Sequence, residues 1–217
     1  MKRDLKGILG DLEEPTAEKK LKIEIDAGLE AELEKIIAHY LNRDGGRIFV
    51  NNSVKTTIKG INSLRPDNKI ISEFCSRLLL YEDCENFADG AADYLSELVN
   101  RAFELGNNNF ELYLNQFSTL LDSACWELRG KRNNRLRISV FGNVGYGFAR
   151  GCEYADIRLF GTSTDDCPGN GSKYCTLATT SASLLKRLKE AETTKSKIYW
   201  INKKRENIFF AEVDCLR

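Results

Sequence analysis

RLRISVFG, at residues 135–142, sets Leu136, Ile138 and Val140 on alternate positions with Arg135, Arg137 and Ser139 between them. A period of two belongs to a strand with one buried face, whereas the apolar residues before it recur every three or four positions, as on a helix. The change of period at Arg135 therefore divides the chain into a helical part and a β-rich part. Helices and strands segregated in this way predict an α+β fold.

Upstream of that point, residues 1–17 read as a flexible leader and KKLKIEID (19–26) as a short strand or edge arm. A first helix is expected over 27–42, with Leu29, Leu33, Ile36, Ile37, Tyr40 and Leu41 on its apolar stripe. His39 sits beside that stripe and reads as a partly buried, hydrogen-bonded residue, because the chain has no second histidine to join it. NRDGG (42–46) ends the helix, and residues 47–60 read as a hairpin or irregular excursion around Asn51-Asn52. A second helix over 68–83 repeats at Ile70, Ile71, Phe74, Cys75, Leu78 and Leu79. A third over 86–105 stops at Gly106, in C-cap position. The asparagines at 107–109 can then cap a fourth, with Phe110, Leu114, Phe117, Leu121, Ala124, Cys125 and Leu128 as its stripe and Gly130 as its end. Amphipathic helices with such short connections are expected to pack as antiparallel neighbours.

Downstream, ADIRLFGT (155–162) and KYCTLATT (173–180) continue the alternation, and SASLLKRLKEAE (181–192) is a short helix facing inward through Leu184, Leu185 and Leu188. SKIYWINK (196–203) and ENIFFAEVD (206–214) read as a hairpin. The expectation is a helical layer of three to four helices covering a mostly antiparallel sheet of four to five strands. No Pro/Gly/Ser linker interrupts the chain, so residues 18–217 read as one unit with a helical subdomain (18–130) and a β-rich subdomain (131–217).

The 217 residues are 42% hydrophobic and 29% charged, as in soluble globular proteins. No apolar run approaches the roughly 20 residues a bilayer span needs, so no membrane partner is expected. The first twenty residues lack the apolar core of a signal peptide, which leads to an expectation of cytoplasmic localisation. Seven widely spaced cysteines do not resemble a disulfide framework. Cys167 and Cys175 bracket a loop that can close a local disulfide or offer thiolates to a metal. Cys152, between Gly151 and Glu153, reads as the most accessible thiol.

The 32 basic and 32 acidic side chains cancel, but they are unevenly placed: residues 1–128 carry 15 against 23, and residues 129–217 carry 17 against 9. The basic half either meets an acidic partner or neutralises the acidic helices within the fold. Its cations with interleaved aromatics form the candidate binding set: Lys131, Arg132, Arg135, Arg137, Arg150, Arg158, Tyr199, Lys203, Lys204 and Arg205. Cations that follow a phosphate backbone, beside an aromatic that stacks on a base, are the means of single-strand recognition. FGNVGYGFARG (141–151) is unusually rich in glycine. Its spacing matches neither GxxxxGK[ST] nor GxGxxG, and it reads as a hairpin-like connection or as a ligand-facing loop with Arg150.

Three functional readings follow. The first is a non-catalytic binding or assembly protein that contacts an acidic partner, single-stranded nucleic acid or acidic protein, through the β-rich half, with self-association and without a cofactor. The second is a metal-dependent nuclease in which Asp156, Glu212 and Asp214 hold Mg²⁺ beside phosphate oxygens. The third is a purely structural homo-oligomer.

Overall fold

The computed structural model describes residues 27–44, 61–84, 87–202 and 204–213. The expectations for residues 1–17, the strand at 19–26 and the hairpin at 47–60 lie outside the described residues. Three helices come first: α1 (Ala27–Asp44), α2 (Asn68–Leu78) and α3 (Phe87–Glu104). Asp67 caps α2 by accepting a hydrogen bond from Ile70 N at 2.8 Å. Gly106, at φ +104°, ends α3, and its N–H donates to Phe103 O while that of Asn107 donates to Ala102 O, both at 3.0 Å. The apolar stripes of α1–α3 meet in a cluster of Tyr40, Phe74 and Tyr94 with ring centroids 5.4–5.7 Å apart. His39 is half-buried and its Nδ1 lies 3.1 Å from the Tyr94 hydroxyl, as its place beside the stripe implies.

The strands are β1 (Asn109–Tyr113), β2 (Leu136–Phe141), β3 (Ala155–Phe160), β4 (Thr176–Thr179), β5 (Ser196–Ile201) and β6 (Asn207–Val213), with helix α4 (Ala182–Glu190) between β4 and β5. They form one sheet in chain order. Strands β1 to β5 are all parallel, and only β5 and β6 pair antiparallel. The α+β architecture stands, but the sheet is mostly parallel and has six strands among the described residues, not a mostly antiparallel four or five.

The reason lies in the crossovers. Parallel neighbours need a long connection, usually a helix that satisfies its own backbone. Here the β2–β3 and β3–β4 connections are irregular, and their amides are satisfied by stacking on one another. Gly145 N donates to Leu121 O, Ala149 N to Ala124 O, Gly169 N to Phe148 O and Gly151 N to Asn170 O, at 2.8–2.9 Å. A second, narrow parallel ladder joins Arg129, Glu153, Lys173 and Thr194. One left-handed residue then precedes each of the next strands: Tyr154, Tyr174 and Lys195, at φ 48°, 54° and 47°. The chain thus winds as a short parallel β-solenoid. Ile138, Ile157, Leu177 and Ile198 are successive register partners, 19, 20 and 21 residues apart, and all are buried in its core. Buried hydroxyls complete the interior: Ser172 Oγ accepts from Cys152 N at 3.2 Å and donates to Ala149 O at 2.7 Å.

The expected fourth helix is absent from residues 110–128. Phe110, Leu112 and Leu114 alternate inward as β1 and its exit, and Ser123, Cys125 and Glu127 adopt φ of 58°, 63° and 49°, which no right-handed helix accepts. Leu121, Ala124 and Leu128 instead face the solenoid interior. The three helices cap this first coil. Helix α2 packs on β1, Gln116 Nε2 donates to Cys75 O at 3.1 Å, and Asn100 bridges Glu127 O and Arg129 N at 3.1 and 2.9 Å. At the other end α4 replaces the irregular crossover. Ser181 caps it, Leu184, Leu185 and Leu188 bury its apolar face, and Arg187 donates to Asp165 O and Ser163 O.

Candidate functional site

The outward residues of β1–β5 build one face in rows across the sheet. Register places Asn109, Arg137, Asp156, Thr176 and Lys197 in one row and Glu111, Ser139, Arg158, Ala178 and Tyr199 in the next. Over this face lies a shallow concavity of about 550 Å³, lined by Asn109, Arg137, Ser139, Asp156, Arg158, Thr176, Tyr199 and Asn207. Arg135 reaches it from just before β2. Its guanidinium contacts Asp156 Oδ1 at 2.7–2.8 Å, while Arg137 Nε stands 4.0 Å from Asp156 Oδ2. Both arginines therefore meet a carboxylate of the sheet itself and not the acidic helices. The helical cations pair locally as well: Arg77 with Glu30 and Glu73, and Arg101 with Glu104.

Arg158 differs from its neighbours. It is exposed on a central strand between Ser139 and Ala178, and has no hydrogen-bond or ion-pair partner among the described residues. Neither flanking side chain can neutralise it. Arg137, with 63% of its side chain exposed, lies diagonally across the same face, about 7 Å away. Two planar guanidiniums that converge on a concavity offer paired donors to a phosphate or carboxylate.

A third row escaped the sequence reading. Tyr113, Phe141 and Phe160 stack across β1, β2 and β3 with centroids 4.9 and 4.8 Å apart and planes within 10° of parallel. Arg205, from the β5–β6 turn, covers the next ring face at 5.8 Å from the Phe160 centroid. The inner ring faces are thus occupied, and the outer face of Tyr113 at the sheet edge is the end of the ladder. The signal lay in the repeated SVFG and RLFG, which place Phe141 and Phe160 at equivalent strand ends 19 residues apart.

The remaining candidates are dispersed. Lys131 and Arg132 belong to a tight turn closed by reciprocal Lys131–Asn134 backbone bonds of 2.9 and 3.0 Å, ahead of Arg135. Arg150 is on the β2–β3 crossover, away from the sheet rows, where its carbonyl accepts from Glu127 N at 2.9 Å. Lys204 sits in the β5–β6 turn, with its N–H bound to Asn202 Oδ1 at 2.9 Å. Lys203 and Asp214 lie outside the described residues. Asp156 and Glu212 are not brought together: β4 and β5 separate their strands, a distance of about 14 Å, and Glu212 stands opposite Lys197. No group of three or more metal-ligating side chains occurs among the described residues.

The glycine-rich stretch 141–151 is the β2–β3 crossover and serves the stacking of coils. A Cβ on Gly161 would strike Gly142 O, and one on Gly145 would strike Asp122 Oδ1. The thiols serve packing too. Cys152 is fully buried and its Sγ donates to Cys125 O at 2.8 Å, so it is not the accessible thiol that its flanking residues suggest. Burial pushes Cys75 and Cys125 up to about 12 and Cys175 to about 11. Cys167 and Cys175 are free thiols, the first exposed and the second buried, with no disulfide between them. Native-state alkylation is expected to modify Cys84 and Cys167 and to spare Cys75, Cys125, Cys152 and Cys175 until the protein unfolds. Peptide mass spectrometry after brief iodoacetamide treatment, with and without urea, checks this; rapid native labelling of Cys152 would contradict its burial.

No helix among the described residues is long and apolar enough to cross a membrane. Comparison with protein-family models, with curated proteins and with solved structures finds no match to this chain.

Proposed function

We propose that the protein is a non-catalytic binding protein whose sheet face takes a phosphate-bearing polyanion, with single-stranded nucleic acid as the ligand class. The observation that carries this reading is the unpartnered Arg158 beside Arg137 at the floor of a polar concavity. Lys197 and Arg205 extend the positive charge along the same face. Tyr199 and the outer side of Tyr113 offer rings at its margins, and stacking of this kind is tolerant of sequence. Asn109, Thr176 and Asn207 add neutral hydrogen-bonding groups around the cations.

Fluorescence anisotropy with labelled RNA and DNA single strands tests the reading. About three phosphate contacts imply a slope near −2 in log K against log salt, so affinity is expected to fall more than tenfold between roughly 50 and 200 mM salt. Binding is expected to survive EDTA. Asp156→Asn removes a negative charge from the face without changing its shape, and is expected to tighten binding about threefold. A nuclease that depends on Asp156 would instead lose its activity. Absence of binding at low salt, or strand cleavage that EDTA and Asp156→Asn both abolish, would overturn the proposal.

A further inference from the structure

Asp156 is the one carboxylate among the described residues that line the concavity. A face that holds only phosphate gains nothing from a negative charge at its centre. The two oxygens of this carboxylate are used unequally. Arg135 holds Oδ1, with Nε 2.8 Å and Nη2 2.7 Å away. Oδ2 is 4.0 Å from Arg137 Nε, too far for a hydrogen bond, and accepts none from the described residues. Fixing Arg135 needs Oδ1 alone. The side chain is 27% exposed at the concavity, so Oδ2 stands there as an open acceptor.

The neighbours of Asp156 set what can reach that oxygen. Its register partner on β4 is Thr176, and Tyr199 stands one strand further on, diagonal to Thr176. All three line the same concavity, and Phe209 braces the Tyr199 ring edge-on at 5.6 Å. A base resting against Tyr199 therefore lies over Thr176 with its edge toward Asp156. Arg158 is two residues along β3, about 7 Å from Asp156, so a phosphate held by Arg158 and a base held at Asp156 belong to one short stretch of strand.

A carboxylate accepts hydrogen bonds and does not donate them. Unstacked bases of a single strand are read along their Watson–Crick edges, and the N4 amine of cytosine is a donor that aspartate accepts from. Cytosine and adenine both carry such an amine at the corner of the ring. Uracil has a carbonyl at that corner. Its one donor, N3–H, is flanked by two carbonyl oxygens that repel a carboxylate.

We infer that Asp156 is a specificity-determining residue of this face: its Oδ2 accepts from an exocyclic base amine and so favours cytosine over uracil. The inference rests on the reading of the face as a single-strand site. Phosphate contacts and stacking supply the affinity there, and Asp156 supplies the choice of base at one position. Cytosine strands bind about fivefold more tightly than uracil strands of the same length, the effect of one hydrogen bond. Asp156→Asn removes that preference. Arg135 can only donate, so the amide turns its oxygen to Arg135 and sets its NH2 group where Oδ2 was. That group donates to uracil O4 and accepts nothing from an amine. The gain from removing the charge then appears with uracil strands and is offset with cytosine strands, and the preference falls to parity or below.

Competition anisotropy at about 50 mM salt gives the ratio of the two affinities for wild-type and Asp156→Asn protein. A second comparison needs no variant. Cytosine strands dimethylated at N4 keep ring, phosphates and length but carry no amine hydrogen, and they are expected to bind the wild-type protein as weakly as uracil strands do. If Asp156 served only to hold Arg135, the substitution would move both affinities together and leave their ratio unchanged. That result, equal wild-type affinity for cytosine and uracil strands, or undiminished binding of the dimethylated strand would each overturn the inference and leave the polyanion reading in place. Absence of binding by every strand would overturn both.

Discussion

Gly142→Ala is expected to lower the free energy of unfolding by about 4 kcal/mol, much of the roughly 5–15 kcal/mol a domain of this kind possesses. Two separate costs combine. The residue sits at φ +124°, where an L side chain is strained by about 1–3 kcal/mol. Its Cβ would also lie 2.5 Å from Asn115 N and 2.8 Å from Asn115 Cα. These are backbone atoms, so no rotamer change relieves the overlap, and forced overpacking costs about 1–3 kcal/mol more. The collision falls where the first two coils are joined, since Leu114 N and Asn115 N both donate to Phe141 O at 2.8 and 2.9 Å. Gly106→Ala is the control. Its φ is +104°, but nothing lies within 4 Å of the added methyl, so only the dihedral cost remains, about 1–2 kcal/mol. Urea denaturation separates the two variants. Equal losses would mean that the coils do not approach as closely as the geometry requires.

Arg158→Glu is expected to weaken binding of a single-stranded oligonucleotide about thirtyfold, or 2 kcal/mol. The change replaces an unpartnered guanidinium with a carboxylate among small neutral neighbours, so it alters charge at the centre of the face while sparing the packing beneath it. The salt slope is expected to shrink by about 0.7 for the lost phosphate contact. Arg150→Glu imposes the same change in net charge on the β2–β3 crossover, off the face. It is expected to cost no more than about threefold, the long-range share of a screened charge. Comparable losses for the two variants would show attraction to the whole molecule and no site. The pair of measurements thus tests the location of binding apart from its existence.

Five of the six strands among the described residues were legible from alternation alone, whereas β1 was read as the start of a helix. The sequence pattern places strands at 135–142, 155–162, 173–180, 196–203 and 206–214, and each coincides with one in the fold. Strand direction was not, because direction is decided by what the connections can satisfy. Residues 142–154 hold no helical period, which argued for an antiparallel return. They cross over instead because Gly145, Ala149 and Gly151 find backbone partners in the adjoining coils. The coil repeat is hard to see in the sequence for a related reason. Its period drifts from 19 to 21 residues, the step from Phe110 to Ile138 is 28 because residues are inserted both before Leu121 and at the Lys131–Asn134 turn, and α4 replaces one crossover. The stripe assigned to a fourth helix mixed inward strand positions such as Phe110 with corner positions such as Leu121 and Leu128. Of the proposed face, Arg135, Arg137, Arg158 and Tyr199 were visible as polar positions in alternating strands. The Tyr113–Phe141–Phe160 ladder was not, since only parallel, in-register pairing brings three aromatics from separate segments into one stack.

Among the described residues, the coils bond through their backbones only to the coil before and the coil after. Stability in such a stack is a sum of neighbour terms, as in a one-dimensional chain of linked units, and it is not spread evenly. The β1 end is clamped by three helices with a shared aromatic core, whereas the β6 end presents side chains to water. Opening is therefore expected to start at β6 and run backward toward the helices. The ligand proposed for Arg137 on β2, Arg158 on β3 and Tyr199 on β5 would lie across that direction. It would tie successive links together, so occupancy of the face would be felt as rigidity at the far end of the stack, without any change of shape.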